Sequence, residues 1–140
     1  MHPSSVARHF LTALVSSSAL VGFVGCGGNG NKMVDPLGTG GTITIQITRS
    51  TRPDFSWQSG TTAPAAQAIS VSNFNPAGAV DRILWGYRNI SVSPPVTYGT
   101  TIAGGLKLGV GDPPPLQSGV RYRVEIVVDG KASWADWLVP

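Results

Sequence analysis

Three scarce residue types decide what chemistry this chain can do: one cysteine, two histidines and seven carboxylates in 140 residues. Both histidines, His2 and His9, precede an apolar run, and the cysteine, Cys26, closes it. Beyond Cys26 there is no imidazole and no second thiol. That removes histidine general acid–base catalysis, Ser–His–Asp and Cys–His nucleophile pairs, and the usual zinc ligand sets. It also removes any internal disulfide. An all-carboxylate calcium site stays open, but no Asp-x-Asp-x-Asp spacing is present, and no metal or diffusible cofactor is expected. A carboxylate pair is enough for glycoside hydrolysis. The acids on hand, Asp35, Asp54, Asp81, Asp112, Glu125, Asp129 and Asp136, are scattered, mostly beside Gly, Pro or Arg. A hydrolase is therefore a remote alternative to a non-catalytic protein.

The setting of Cys26 is more specific than its chemistry. Residues 1–9 are polar, with Arg8 as the firm positive charge. Residues 10–25 are mostly small and apolar, broken by Ser16, Ser17 and Ser18. A membrane-spanning helix needs roughly 20 apolar residues, so this run is short, and no basic cluster follows it. A charged start followed by a short apolar stretch has the layout of an export signal. The ending Phe23-Val24-Gly25-Cys26 resembles that of a bacterial lipoprotein signal peptide. That resemblance implies cleavage between Gly25 and Cys26, with palmitate and diacylglycerol chains carried by Cys26. Each buried methylene adds about 0.8 kcal/mol, so two or three chains would anchor permanently where one holds marginally. Gly27 stands where an Asp would mark inner-membrane retention, so the resemblance favours the outer membrane in a host that has one. The alternative is a plain exported protein with a free thiol.

After the signal, residues 26–41 are rich in Gly and Asn and read as a flexible tether, and residues 42–140 as one small domain. The formal charge of +3 comes from scarce acids rather than a basic tract, so no nucleic-acid partner is expected.

Within 42–140 no 3.6-residue period is sustained, and prolines and glycines recur every 8–12 residues. Thr42–Thr48 alternates with Ile43, Ile45 and Ile47 inward. Ala68–Phe74 puts Ile69 and Val71 inward, and Asp81–Arg88 puts Ile83, Trp85 and Tyr87 on one face. Val120–Val128 places Tyr122, Val124, Ile126 and Val128 against Arg121, Arg123 and Glu125. Asp129-Gly130 is a two-residue hairpin turn leading into a strand over Ala132–Val139. The pattern predicts an all-β fold, a sandwich of about seven antiparallel strands.

One segment narrows this further. Leu116-Gln117-Ser118-Gly119-Val120-Arg121-Tyr122-Arg123-Val124 resembles the Leu-x-x-Gly-x-x-Tyr-x-Val corner of fibronectin type III domains, relatives of the immunoglobulin sandwich. The resemblance implies that the Tyr122 hydroxyl bonds backbone a few residues upstream while its ring packs inside. Leu116 and Gly119 fill the other motif positions. No cysteine follows Tyr122 at two residues, so the likeness is to disulfide-free sandwiches, and it carries no functional residues.

The candidate binding surface is aromatic and basic. Trp134 and Trp137, three apart on one strand, must face opposite ways; either both pack, one in the core and one under a loop or sheet end, or the outer one is exposed to stack on a sugar or anchor a protein. Phe55 and Trp57 lie where alternation is unclear, near Arg49 and Arg52, and read either as an interaction loop or as core. Arg121 and Arg123 stand on a solvent face as ordinary solubilising charge; if the strand carrying Arg82 and Arg88 is their neighbour, the four would form a basic face for anionic lipid headgroups or a glycan. The functional expectation is a membrane-anchored, non-catalytic module that binds an envelope protein or builds structure. A carbohydrate- or peptidoglycan-binding module using exposed aromatics is the alternative.

Overall fold

The computed structural model describes residues 32–140; the expected signal segment, with the cleavage and lipidation expected at Gly25 and Cys26, lies outside the described residues. Nine strands follow one another without a helix among the described residues. They are β1 (Gly38–Gly40), β2 (Thr44–Ile47), β3 (Asp54–Gln58), β4 (Ala66–Phe74), β5 (Val80–Val92), β6 (Val96–Thr97), β7 (Leu106–Leu108), β8 (Arg121–Val128) and β9 (Lys131–Leu138). They build two antiparallel sheets, of order β1-β9-β8-β4-β5-β7 and β2-β3-β6. Neither closes into a barrel. The two strands beyond the expected seven or so include β1 and β7, three-residue edges too short to show alternation.

β-Branched residues at every second position of β2, and apolar alternation along β4 and β8, turn one face of each strand inward. Ile45, Ile47, Ile69, Val71, Val124 and Ile126 are accordingly buried. The centre of the core is aromatic. Phe55 stacks near Trp85 at 6.5 Å between ring centroids and meets Trp137 edge-on at 5.5 Å. Tyr98 and Tyr122 extend the cluster to Trp85 and Trp137. Such pairs add about 0.5–1.5 kcal/mol each beyond their area burial.

Two expected features are present in detail. The β8–β9 hairpin turns on Asp129 and Gly130, both at positive φ (50° and 71°), the pairing that a tight right-twisted hairpin requires. At the corner before β8, the Gln117 N–H donates to Tyr122 Oη at 3.0 Å, while the Tyr122 ring and Leu116 are buried. Gly119 turns there at positive φ, and its N–H donates to the Val139 carbonyl.

The structure decides or corrects three expectations. Phe55 and Trp57, open between loop and core, belong to the core and leave the candidate binding surface: both are buried on β3, and Trp57 Nε1 donates to the Pro64 carbonyl at 2.7 Å. Their alternation spans only two apolar residues between Arg52-Pro53 and Ser59-Gly60, too short to stand out. Ile83 does not share a face with Trp85 and Tyr87. Register shifts from Val71↔Trp85 to Ser72↔Ile83, a bulge at Leu84 that turns Ile83 to the outer face.

The third moves the domain boundary. Residues 33–41 are not free tether: Met33 bridges to Thr48, Val34 N–H bonds the Ile47 carbonyl, Leu37 N–H bonds the Asp136 carbonyl, and β1 pairs with β9. The glycines that suggested flexibility permit close approach instead. A Cβ on Gly40 would come within 2.5 Å of the Trp134 indole nitrogen.

Candidate functional site

Three of the six residues expected at a binding surface, Arg121, Arg123 and Trp134, share the outer face of the β8–β9 ribbon. Counting outward from the two-residue turn sets Glu125 opposite Trp134, Arg123 opposite Asp136, and Arg121 opposite Leu138. Asp136 is the hub. Arg123 grips it with two parallel bonds, Nε to Oδ1 at 2.6 Å and Nη2 to Oδ2 at 3.0 Å. Arg121 Nη2 reaches Oδ2 from the other side. The side chain of Asp136 is 1% exposed although it stands on an outer face, whereas Arg121 remains 45% exposed.

The aromatics complete the cluster. The Arg123 guanidinium lies 3.9 Å from the Trp134 ring centroid, and that of Arg121 lies 4.2 Å from the Phe74 ring. Trp134 is thus pressed between a cation and the two β1 glycines, half-buried rather than presented as an open platform. Trp137, on the opposite face, is buried beside Phe55 and Tyr122. Its indole N–H has no acceptor among the described residues.

The electrostatics fix the charge state of this cluster. Burial pushes the Asp136 carboxyl up, but hydrogen bonds and charge from Arg123 and Arg121 outweigh it and hold it below the usual carboxylate range. The bond to Asp136 in turn raises Arg123 above its ordinary value, against the cost of burial. Carboxylate and guanidinium therefore stay ionised across the physiological range. The paired groups tie β8 to β9 across the outer face of the ribbon.

The expected basic face is also corrected. Arg82 and Arg88 belong to β5, and β4 stands between β5 and β8, so the four arginines do not merge. Asp136 compensates much of the Arg121 and Arg123 charge. Asp136, named in the sequence only among the scattered acids, joins this surface, as do Phe74, Gly38 and Gly40, which the sequence did not mark as part of it. The signal for Asp136 was present in the hairpin count; that for the glycines was not, because nothing local marks a three-residue edge strand.

Among the remaining acids, Asp54 accepts a hydrogen bond from the Thr97 hydroxyl. Asp81 and Asp112 share an open groove of about 550 Å³ with Arg82, Ile83, Val110 and Pro114. Both are exposed, whereas the general acid of a glycosidase needs a carboxyl withdrawn from water. Among the described residues, no three His, Cys, Asp or Glu gather as a metal site. A second groove, lined by Arg52, Tyr98, Gly99 and Pro113–Pro115, is held by two bonds. Arg52 Nε donates to the Tyr98 carbonyl and Tyr98 Oη donates to the Pro114 carbonyl. Burial, with a smaller contribution from Tyr122, pushes the Tyr98 phenol up to about 12.

Compared with protein-family models, with curated proteins and with solved structures, the chain returned no match.

Proposed function

We propose that this is a bacterial envelope lipoprotein, anchored through lipid on Cys26, whose small fibronectin type III-like domain serves as a non-catalytic interaction or structural module. The observation that carries the reading is one of spacing. The only cysteine ends an apolar signal-length run, and seven residues later Met33 is already paired into the domain. The fibronectin-like assignment draws support from the Tyr122 corner and from a sheet order that sets β2-β3-β6 against β9-β8-β4-β5. The edges β6 and β7 leave backbone groups to which a partner strand can add. The glycan alternative is weakened, because Phe55, Trp57 and Trp137 offer no ring face to solvent.

The test is crosslinking in cells of the native protein beside a Cys26→Ser variant, followed by membrane pull-down and mass spectrometry. One dominant protein partner, lost in the variant, is the expected result. Absence of any protein partner, with retention on peptidoglycan, would transfer the reading to the glycan alternative.

A further inference from the structure

The described chain emerges at one end of the domain, and that end has a distinctive surface. Lys32 and Met33 lie against Thr48 and Arg49, beside Leu138 and Pro140. The corner before β8, the Pro113–Pro115 segment and the loop after β7 gather at the same end, joined through shared grooves with Arg52, Arg82 and Val110. Of the seven large apolar side chains exposed among the described residues, five lie here: Met33, Val80, Ile83, Val110 and Leu138. Leu37 flanks them on the edge, and only Leu106 stands toward the far end. Val110 is 100% exposed. It sits between Gly109 and Gly111, both at positive φ, so the backbone turns on either side and the valine projects alone at the loop tip.

Scattered exposed valines and leucines are ordinary. Concentration at the chain-emergence end is not, and covalent geometry gives it a partner. From Cys26 to Lys32 is six peptide steps, at most about 20 Å when fully extended. Strand β8 alone, at eight residues, is about 27 Å long. An anchor on Cys26 therefore holds this end close to the lipid whatever path the linker takes. We infer that the end of the domain bearing Val110, Val80 and Leu138 rests on the lipid surface, with Val110 inserted at the headgroup boundary. The inference rests on the lipid-anchor reading. Charge contributes little: Lys32, Arg49, Arg52 and Arg82 are exposed there, but so are Asp35, Asp81 and Asp112. The seat is apolar, and its contact is insensitive to salt.

The experiment uses the full chain, matured in a bacterial host and placed in vesicles of phosphatidylethanolamine and phosphatidylglycerol. Val110→Cys, and separately Lys131→Cys at the opposite end, each add one labelling site for an environment-sensitive fluorophore, the Cys26 thiol being engaged by lipid. Both positions are exposed, so neither change disturbs packing. Nitroxide lipids should quench the label at 110 at least about fivefold more than at 131, at low and high salt alike. Equal, weak quenching at both positions would overturn the inference. So would a label at 110 shielded from water yet unquenched by lipid, which would put a protein or a second copy of the chain there. Mass analysis of the Cys26 peptide separates the two readings. If it carries no lipid, the labels are repeated in a Cys26→Ser background. Strong quenching at 110 would then keep the seat and remove the anchor, and none would remove both.

Discussion

The two faces of the β8–β9 ribbon solve the same problem by opposite means. Inward, Tyr122, Val124 and Ile126 with Ala135 and Trp137 are dry, and they join the sheets through apolar burial and ring contacts. Outward, Arg121, Arg123, Trp134 and Asp136 join β8, β9 and β1 through charge, a cation over an indole, and glycines that let the indole lie flat. The inner face is set by residue size and is insensitive to pH. The outer face is set by one carboxylate and responds to pH. A tryptophan on this ribbon takes its role from the side of the strand it stands on: Trp137 fills the core, and Trp134 clamps the incoming N-terminal segment.

The largest way to break that contrast is from the inside. Trp85→Ala, at the aromatic centre, should cost about 3–5 kcal/mol in urea unfolding, with no change in its pH dependence. Asp136→Ala should cost less, about 2–3 kcal/mol, because the two guanidiniums it strands keep partial access to water. Its signature is the pH profile. The folded Asp136 value is depressed, so its contribution is full above the unfolded value near 3.9 and is lost as pH falls through the folded value. The variant's stability should therefore fall less on acidification than the parent's. An unchanged acid limb would mean that the outer cluster is not an ion lock. The Tyr98 phenol works at the other extreme. Raised to about 12, it contributes below the unfolded value near 10 and is lost as pH climbs toward 12, a loss that Tyr98→Phe should abolish.

Two smaller changes sharpen the comparison. Gly40→Val should displace β1 from Trp134, costing about 1–3 kcal/mol, and should raise amide exchange over residues 33–41 while β4 and β8 stay protected. Trp137→Phe should cost about 1–3 kcal/mol less than Trp85→Phe. It removes a buried N–H without an acceptor, whereas Trp85 Nε1 donates to the Thr100 carbonyl. Equal costs would show that the Trp137 donor is satisfied.

What the sequence made legible follows from the range of the forces involved. Strands whose inward residues alternate over several positions, such as β2, β4 and β8, could be read, as could the Asp129-Gly130 turn and the Tyr122 corner, because each is specified within about ten residues. Phe55 and Trp57 could not be sorted from a loop, since their burial comes from the facing sheet and not from their own short strand; the rings Phe55 meets, Trp85 and Trp137, lie thirty and eighty-two positions later. Gly38 and Gly40 read as flexible because the residue that requires their missing side chains, Trp134, lies nearly a hundred positions later. The Leu84 bulge that turned Ile83 outward leaves no local mark in composition. For the surface, Arg121 and Arg123 were recognised as outward, but their shared pairing with Asp136 required the hairpin register to be counted through.

The central claim is that this domain works at a membrane because Cys26 holds it there. The most direct test is the mass of the N-terminal peptide from protein isolated with the membrane fraction. The account predicts a chain beginning at Cys26 and carrying diacylglycerol with a further acyl chain. A peptide that runs through Cys26 into the preceding apolar segment, or one that begins elsewhere with a free thiol, would contradict it.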